Sequence, residues 1–257
     1  MANRININAD LGESFGVYNI GDDAALLAVV KTANIGCGFH GGDPSVMRRT
    51  VIEAAKRGVT IGAHPSFDDL RGFGRREIKM TSDDLEALIA YQIGALQAIA
   101  HYANTTVTHV KAHGALNNMA CVDAPYAKAI ATAIKTVDPT LINLVMPGTA
   151  LEKASLEEGL PTALEAFVDR TYEDDGLLTS RSIAGSVIVD PTIAAARAVR
   201  MVKEQIVITR SGAELPRRIH SLCVHGDAPT AVAVARATHA ALVANTVAIV
   251  TLPDALT

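Results

Sequence analysis

The sequence predicts an α/β protein, an irregular seven-stranded parallel β/α barrel, and three observations carry that expectation. Short β-branched runs alternate with Ala-rich, helix-periodic stretches from one end of the chain to the other. The runs are mostly apolar, as strands buried on both faces of a parallel sheet must be. The length of 257 residues suits one such barrel, so 1–257 reads as a single β/α barrel domain. An open doubly wound sheet shares the alternation and is the competing architecture.

Seven strands are expected, in the runs Arg4–Asn8, Ala33–Cys37, Val59–Ala63, Thr106–Lys111, Leu141–Met146, Leu164–Val168 and Ser221–His225. Helix signals fall between them. Thr81 precedes Leu85, Leu88, Ile89, Gln92, Leu96 and Ile99, a spacing that gathers apolar groups on one helical face. Asp43-Pro44, Asp190-Pro191 and Asp227-Ala-Pro229 pair a capping Asp with a first-turn Pro. Gly58 and Gly159 stand where helices should stop. The glycine-punctuated stretch Asp174–Asp190 reads as a long loop, and Gln205 to Leu215 as a hairpin turning at Ser211-Gly212.

Composition excludes several classes. With 23 basic against 27 acidic side chains, no cationic surplus exists for gripping phosphate backbones, which argues against nucleic acid as a partner. The opening residues Met1 to Asn8 show no apolar leader core, and the longest apolar stretch, Ala240 to Leu252, is broken by Asn245 and two threonines. A cytoplasmic protein without membrane contact is therefore expected. Cys37, Cys121 and Cys223 are odd in number and far apart, and read as reduced thiols.

The informative residues lie at and just past the strand ends. Asn8, Asp10 and Glu13 come after the first strand, His40 and Asp43 after the second, and His64 ends the third. The fourth carries His109, Lys111 and His113, the sixth Glu165, Asp169 and Arg170, and the seventh His225 and Asp227. In a parallel β/α array the carboxyl ends of all strands share one face, where ligands bind. Turns and helix caps also recruit Asp, Asn and Gly, so Asp43 and Asp227 have a purely structural reading as N-caps. Histidines at four strand ends, with a lysine and several carboxylates, exceed what turns need.

Three local motifs fail on context. Gly36-Cys-Gly-Phe-His-Gly41 has dinucleotide-loop spacing, but the next strand ends in His64 instead of an acid. Gly12-Glu-Ser-Phe-Gly16 has nucleophile-elbow spacing, but Asp10 and Leu11 intervene after the strand. Asn104-Thr-Thr106 is a glycosylation sequon that matters only after secretion. No G-x-x-x-x-G-K-[ST] occurs.

The rim chemistry leaves alternatives open. Asp10, His64 and His113, on the first, third and fourth strand ends, form a candidate divalent-metal triplet. Paired carboxylates such as Glu13 and Glu165 suit general acid–base work. Lys111 suits a carboxylate or an oxyanion, and the Gly38–Asp43 loop suits a phosphate.

Several longer motifs resemble the LamB/YcsF family: Asn8-Ala-Asp-Leu-Gly-Glu-Ser-Phe-Gly16, Ala33-Asn-Ile-Gly-Cys-Gly-Phe-His-Gly-Gly-Asp-Pro44 and Gly62-Ala-His-Pro65. Gly72-Phe-Gly-Arg-Arg76, Tyr91-Gln-Ile-Gly-Ala-Leu96, His109-Val-Lys-Ala-His-Gly-Ala-Leu116 and Cys223-Val-His-Gly-Asp227 come after them in order, so the resemblance spans Asn6 to about Leu242. It implies a barrel of the glycoside hydrolase/deacetylase type. It also implies ATP-dependent opening of 5-oxo-L-proline to L-glutamate by a 5-oxoprolinase, with this chain as one component beside partner subunits B and C. Under that reading Asp10, His64, Lys111 and His113 are the catalytic set. Asn8, Glu13, His40, Asp43, Glu165, Asp169, Arg170, His225 and Asp227 line the substrate, with Arg170 and Lys111 on its carboxylate or on phosphate. A self-sufficient metal-dependent amidohydrolase or deacetylase, and a non-catalytic partner subunit, are the rival readings. The chain departs from the family at Ala112, Asn117, Phe67-Asp68, Pro147-Gly-Thr149, Val168 and the two residues before Arg181. None of these removes a rim His or acid; Asn117 bears on substrate packing.

Overall fold

The computed structural model describes residues 4–257; Met1 to Asn3, part of the stretch read as lacking a leader, lie outside the described residues. Along the chain come β1 (Arg4–Leu11), α1 (Asp23–Leu27), β2 (Thr32–Gly36), α2 (Pro44–Lys56), β3 (Thr60–His64), α3 (Ser82–Tyr102), β4 (Val107–Val110), α4 (Gly114–Val122) and α5 (Ala124–Val137). Next are β5 (Ile142–Val145), α6 (Ala150–Glu157), β6 (Thr162–Phe167), α7 (Pro191–Glu204), β7 (Ile206–Ile208), β8 (Glu214–Pro216), β9 (Ser221–Val224), α8 (Ala231–Ala244), β10 (Ala248–Val250) and α9 (Leu252–Ala255).

The sheet runs β1-β2-β3-β4-β5-β6-β9, and β9 pairs back onto β1 with Asn6 opposite Ser221 and Ala9 opposite Val224. All these pairings are parallel, so seven strands close a barrel, as expected, and the open-sheet alternative is excluded. The short β10 adds an eighth strand, paired with Arg4 to Asn6 beside β2's place on β1. Nothing in the apolar stretch Ala240–Leu252 marks it, because Asn245 and Thr246, the latter at φ 62°, break helix from strand without Gly or Pro. The hairpin forms as read, with Ile206 opposite Pro216. No helix among the described residues is long and apolar enough to cross a membrane.

Helix signals behave as expected with one exception. Thr81 caps α3 by accepting from the Asp84 N–H, and Leu85, Ile89, Gln92, Ile93 and Leu96 are its buried stripe. Asp43 and Asp190 cap α2 and α7. Asp227 caps nothing: α8 begins at Ala231, and the Asp227 carboxylate instead pairs with Arg75 at 2.7 Å.

The second correction concerns β1. The sequence pattern ends the strand at Asn8 and puts Asp10 beyond it, yet β1 continues to Leu11, held by β2 through residues 8–11. With a two-residue period, Asn6, Asn8 and Asp10 all face the barrel axis. There they meet polar partners. Asn6 Nδ2 donates to Thr32 Oγ1 at 2.8 Å, Asn34 Nδ2 donates to Asn8 Oδ1 at 2.7 Å, and Asn8 Nδ2 donates to Ser221 Oγ at 2.7 Å. The aliphatic core lies instead between strands and helices. Gly62 leaves room on this axis: a Cβ there would fall on the imidazole ring of His109. That ring packs inside the barrel and donates from Nε2 to Asn34 Oδ1 at 2.8 Å.

Candidate active site

At the carboxyl end of the axis the polar column becomes charged. Lys111 Nζ donates to Asp10 Oδ1 at 2.8 Å and to Cys223 Sγ at 3.0 Å, and lies 3.4 Å from Glu165 Oε2. Asn34 Nδ2 also donates to Asp10 Oδ1, at 2.8 Å. All of these side chains are buried. Burial alone would raise the Asp10 carboxyl, but the ammonium of Lys111, and then His64, hold it well below the usual range. Burial likewise opposes the charge on Lys111, and Asp10, Cys223 and Glu165 overcome it. Glu165 has less help and is pushed up to about 7, chiefly by burial. The floor is thus an ionised Asp10–Lys111 pair beside a carboxyl poised near neutrality.

Above it stand Glu13, His40, His64 and His113. His64 sits at the end of β3, and its Nδ1–H donates to the Lys111 carbonyl at 2.7 Å. His113, at the N-cap of α4, donates from Nε2 to the Phe73 carbonyl at 2.8 Å. Phe73 presents that carbonyl from a left-handed conformation (φ 54°), unusual for a bulky residue. Its loop is held by Asp69, whose Oδ1 accepts from the Gly72 N–H at 2.9 Å and pairs with Arg76. Both imidazoles have therefore spent their donors on backbone, leaving His64 Nε2 and His113 Nδ1 facing each other at 3.0 Å. Two lone pairs at that distance repel, so the geometry calls for a proton or a cation between them.

His40 Nε2 lies 2.9 Å from Glu13 Oε1, and its buried Nδ1 has no hydrogen-bond partner among the described residues. Burial raises Glu13, with Asp10 and Asp227 adding to it, and burial lowers His40 and His113. The donor atoms of these four side chains all lie within 4.8 Å of one another, an N₃O set that suits a divalent metal. The expected triplet of Asp10, His64 and His113 is only partly assembled. Asp10 Oδ1 is taken by Lys111 and Asn34, Oδ2 stands 3.5 Å from His64 Nε2, and Glu13 with His40 completes the group instead.

Other expected residues spread around the mouth. Asp169 holds His225 through Nδ1 at 3.0 Å and through its backbone N–H at 3.1 Å. Arg170 is buried and donates to the Ser186 and Thr179 carbonyls, so it braces the 171–190 loop instead of standing free for a ligand. Asp43 lies apart, its Oδ1 on the Ser45 and Val46 N–H groups and its Oδ2 on the Gly16 N–H. The Gly38–Asp43 loop is no open phosphate cradle: the Gly38 and Gly42 N–H groups donate to the Gly41 and Ser14 carbonyls. Its glycines serve close packing, since a Cβ on Gly41 would strike the Glu13 backbone. Ser14 staples its own loop, its Oγ accepting from the Ile20 N–H at 2.9 Å.

A cavity of about 440 Å³ opens over this floor, lined by Asp10, His64, Lys111, His113, Arg170 and His225 among others. Asn117, the departure that bears on substrate packing, lies in its wall beside Cys121 and Met146. Sequence reasoning missed Asn34, Cys223 and Phe73 as parts of the site, and Arg75 and Arg181 as lining residues. Asn34 was findable: it stands two residues before Gly36 on a strand whose even positions face the axis.

The model of the LamB/YcsF family matches residues 5–257. The chain is 51% identical over 240 residues to the 5-oxoprolinase A subunit of Rhodopseudomonas palustris strain BisB5, covering 93% of this chain and 94% of that protein. The crystal structure of a lactam utilization protein from Thermus thermophilus superposes with a TM-score of 0.91 at 44% identity, covering 96% of this chain and 99% of that one. The catalytic domain of a peptidoglycan N-acetylglucosamine deacetylase from Eubacterium rectale shares the fold alone, with a TM-score of 0.53 at 11% identity, over 97% of this chain and 88% of that one.

Proposed function

The chain belongs to the LamB/YcsF family, and from that premise we propose that it serves as the A component of a 5-oxoprolinase. With partner subunits B and C and ATP, it opens the lactam of 5-oxo-L-proline to L-glutamate. The observation that carries the site assignment is the convergence of Asp10 Oδ2, His64 Nε2 and Lys111 Nζ on the floor of one cavity of small-molecule size.

Amide resonance makes the lactam carbon a poor electrophile, which is the reason for ATP. Phosphoryl transfer to the lactam oxygen releases ADP and activates C5. Water then adds to C5, the C5–N bond breaks with the nitrogen taking a proton, and a second water displaces phosphate. The chain carries no P-loop, and ATP is bound with or by a partner subunit. His64 Nε2, beside the ionised Asp10, takes the proton of the attacking water. Lys111 steadies charge developing on oxygen, with Glu165 beside the ammonium at 3.4 Å and Asn8 Nδ2 donating to that Glu165 carboxyl. His113 Nδ1, 3.0 Å from His64 Nε2, shares that proton until His64 returns it to the departing nitrogen. In place of that proton relay, Glu13, His40, His64 and His113 would hold a divalent ion, which when bound would supply a Lewis acid or an acidified water.

The experiment is 5-oxoproline-dependent ATP hydrolysis and glutamate release by this chain alone and with both partners. Turnover is expected only in the assembly. The imidazole–carboxylate cluster favours one rival, a metal-dependent amidohydrolase. That rival requires turnover by the chain alone, without ATP, stopped by a chelator.

A further inference from the structure

Four cations line the cavity: Arg75, Lys111, Arg170 and Arg181. Three are committed. Lys111 is neutralised by Asp10, Arg170 braces the Thr179 and Ser186 carbonyls, and Arg75 pairs with Asp227 while lying over the Phe73 ring. Arg181 has no hydrogen bond or ion pair among the described residues and is exposed at the rim; partial desolvation and then Arg75 disfavour its charge, while Asp227, Asp169 and Asp10 favour it from a distance. It does not ride on a loose segment. Thr179 N–H donates to the Thr171 carbonyl at 3.0 Å and Ile183 N–H to the Ser180 carbonyl at 3.0 Å, and Arg170 clamps the loop on both sides of Arg181.

An exposed guanidinium at the mouth of a cavity, with no side-chain partner of its own, is free to pair bidentately with an arriving carboxylate. The floor does not offer a free cation for that anion, because Lys111 is already paired with Asp10 at 2.8 Å and has Glu165 3.4 Å away. A ligand with one neutral polar end and one anionic end therefore has a single electrostatically allowed orientation. 5-Oxo-L-proline is such a ligand: a neutral lactam and a carboxylate. Building on the 5-oxoprolinase reading, we propose that Arg181 binds the substrate carboxylate at the rim and thereby turns the lactam carbonyl toward Asp10, His64 and Lys111.

The test is equilibrium binding by titration calorimetry to the full chain, as wild type, Arg181→Ala and Arg181→Lys. The probes are 5-oxo-L-proline, its neutral carboxamide and inorganic phosphate. Wild type is expected to favour the acid over the amide by about ten- to a hundredfold, the range of a charge-assisted pair. Arg181→Ala removes that preference and leaves amide binding unchanged, and Arg181→Lys restores part of it. Three results overturn the inference: equal acid binding by wild type and Arg181→Ala, a loss confined to phosphate, or a parallel loss for acid and amide. A wild-type chain that binds neither lactam sinks it too. The substrate reading stands or falls separately, on glutamate release by the wild-type assembly.

Discussion

Replacing Lys111 by Met tests the charged floor. At 2.8 Å and an effective dielectric near 20, the attraction of Lys111 for Asp10 is about 6 kcal/mol, and part of it offsets the desolvation of both groups. Lys111→Met leaves Asp10 buried without its counter-ion, and cutting one partner of such a pair costs about 3–5 kcal/mol. For a chain of this size that lowers Tm by roughly 6–20 °C. The pH dependence is specific. In wild type the Asp10 carboxyl is depressed, so its contribution is present above the ordinary carboxylate range and lost on acidification. In the variant the largest counterweight to burial is gone and only His64 and His225 remain against it, so that carboxyl rises relative to wild type and stability falls relative to wild type as pH rises from about 4 toward 7. The gap between the two proteins must therefore widen with pH, and Lys111→Met with Asp10→Asn must recover most of it. Urea unfolding at several pH values reads both quantities. A gap under about 1 kcal/mol, or one that does not change with pH, would refute the buried ion pair.

Two further perturbations probe the same axis. Glu165 titrates near 7 in the fold against 4.5 when unfolded, so its contribution is full below 4.5 and is lost between 4.5 and 7. Relative to Glu165→Gln, wild type should lose about 3 kcal/mol over that window; parallel stability–pH curves would contradict it. Gly62→Ala drives a methyl into the His109 ring and should cost about 1–3 kcal/mol, with His109→Ala returning part of the loss in the double variant. Strict additivity would mean the two positions do not meet.

Much of the barrel was legible because parallel strands buried on both faces leave a compact signature. The β-branched runs, the Thr81 cap and the Ser211-Gly212 turn each come from local backbone preference. Legibility failed where a residue serves the interior of the barrel. Asn8 and Asp10 carry the chemistry of turn formers, and only the closed axis, with Asn34, Lys111 and Ser221 opposite them, makes a polar strand stable. Local spacing also could not distinguish Asp43, which caps a helix, from Asp227, which pairs with an arginine more than a hundred positions away. Arg170 and Arg181 look alike in the chain. Which one braces a loop and which one faces the cavity depends on how residues 171–190 fold back, and no periodic pattern encodes that.

Lactam hydrolysis on this floor, with help from partner subunits, is tested most directly by glutamate released from 5-oxo-L-proline and ATP. The assembly is reconstituted with wild-type or His64→Ala chain, at matched folding by circular dichroism. Release by wild type is expected, with a loss of at least about a hundredfold on His64→Ala, the lower range for removing a positioned acid–base group. Undiminished release by the His64→Ala assembly would contradict a catalytic role for this floor.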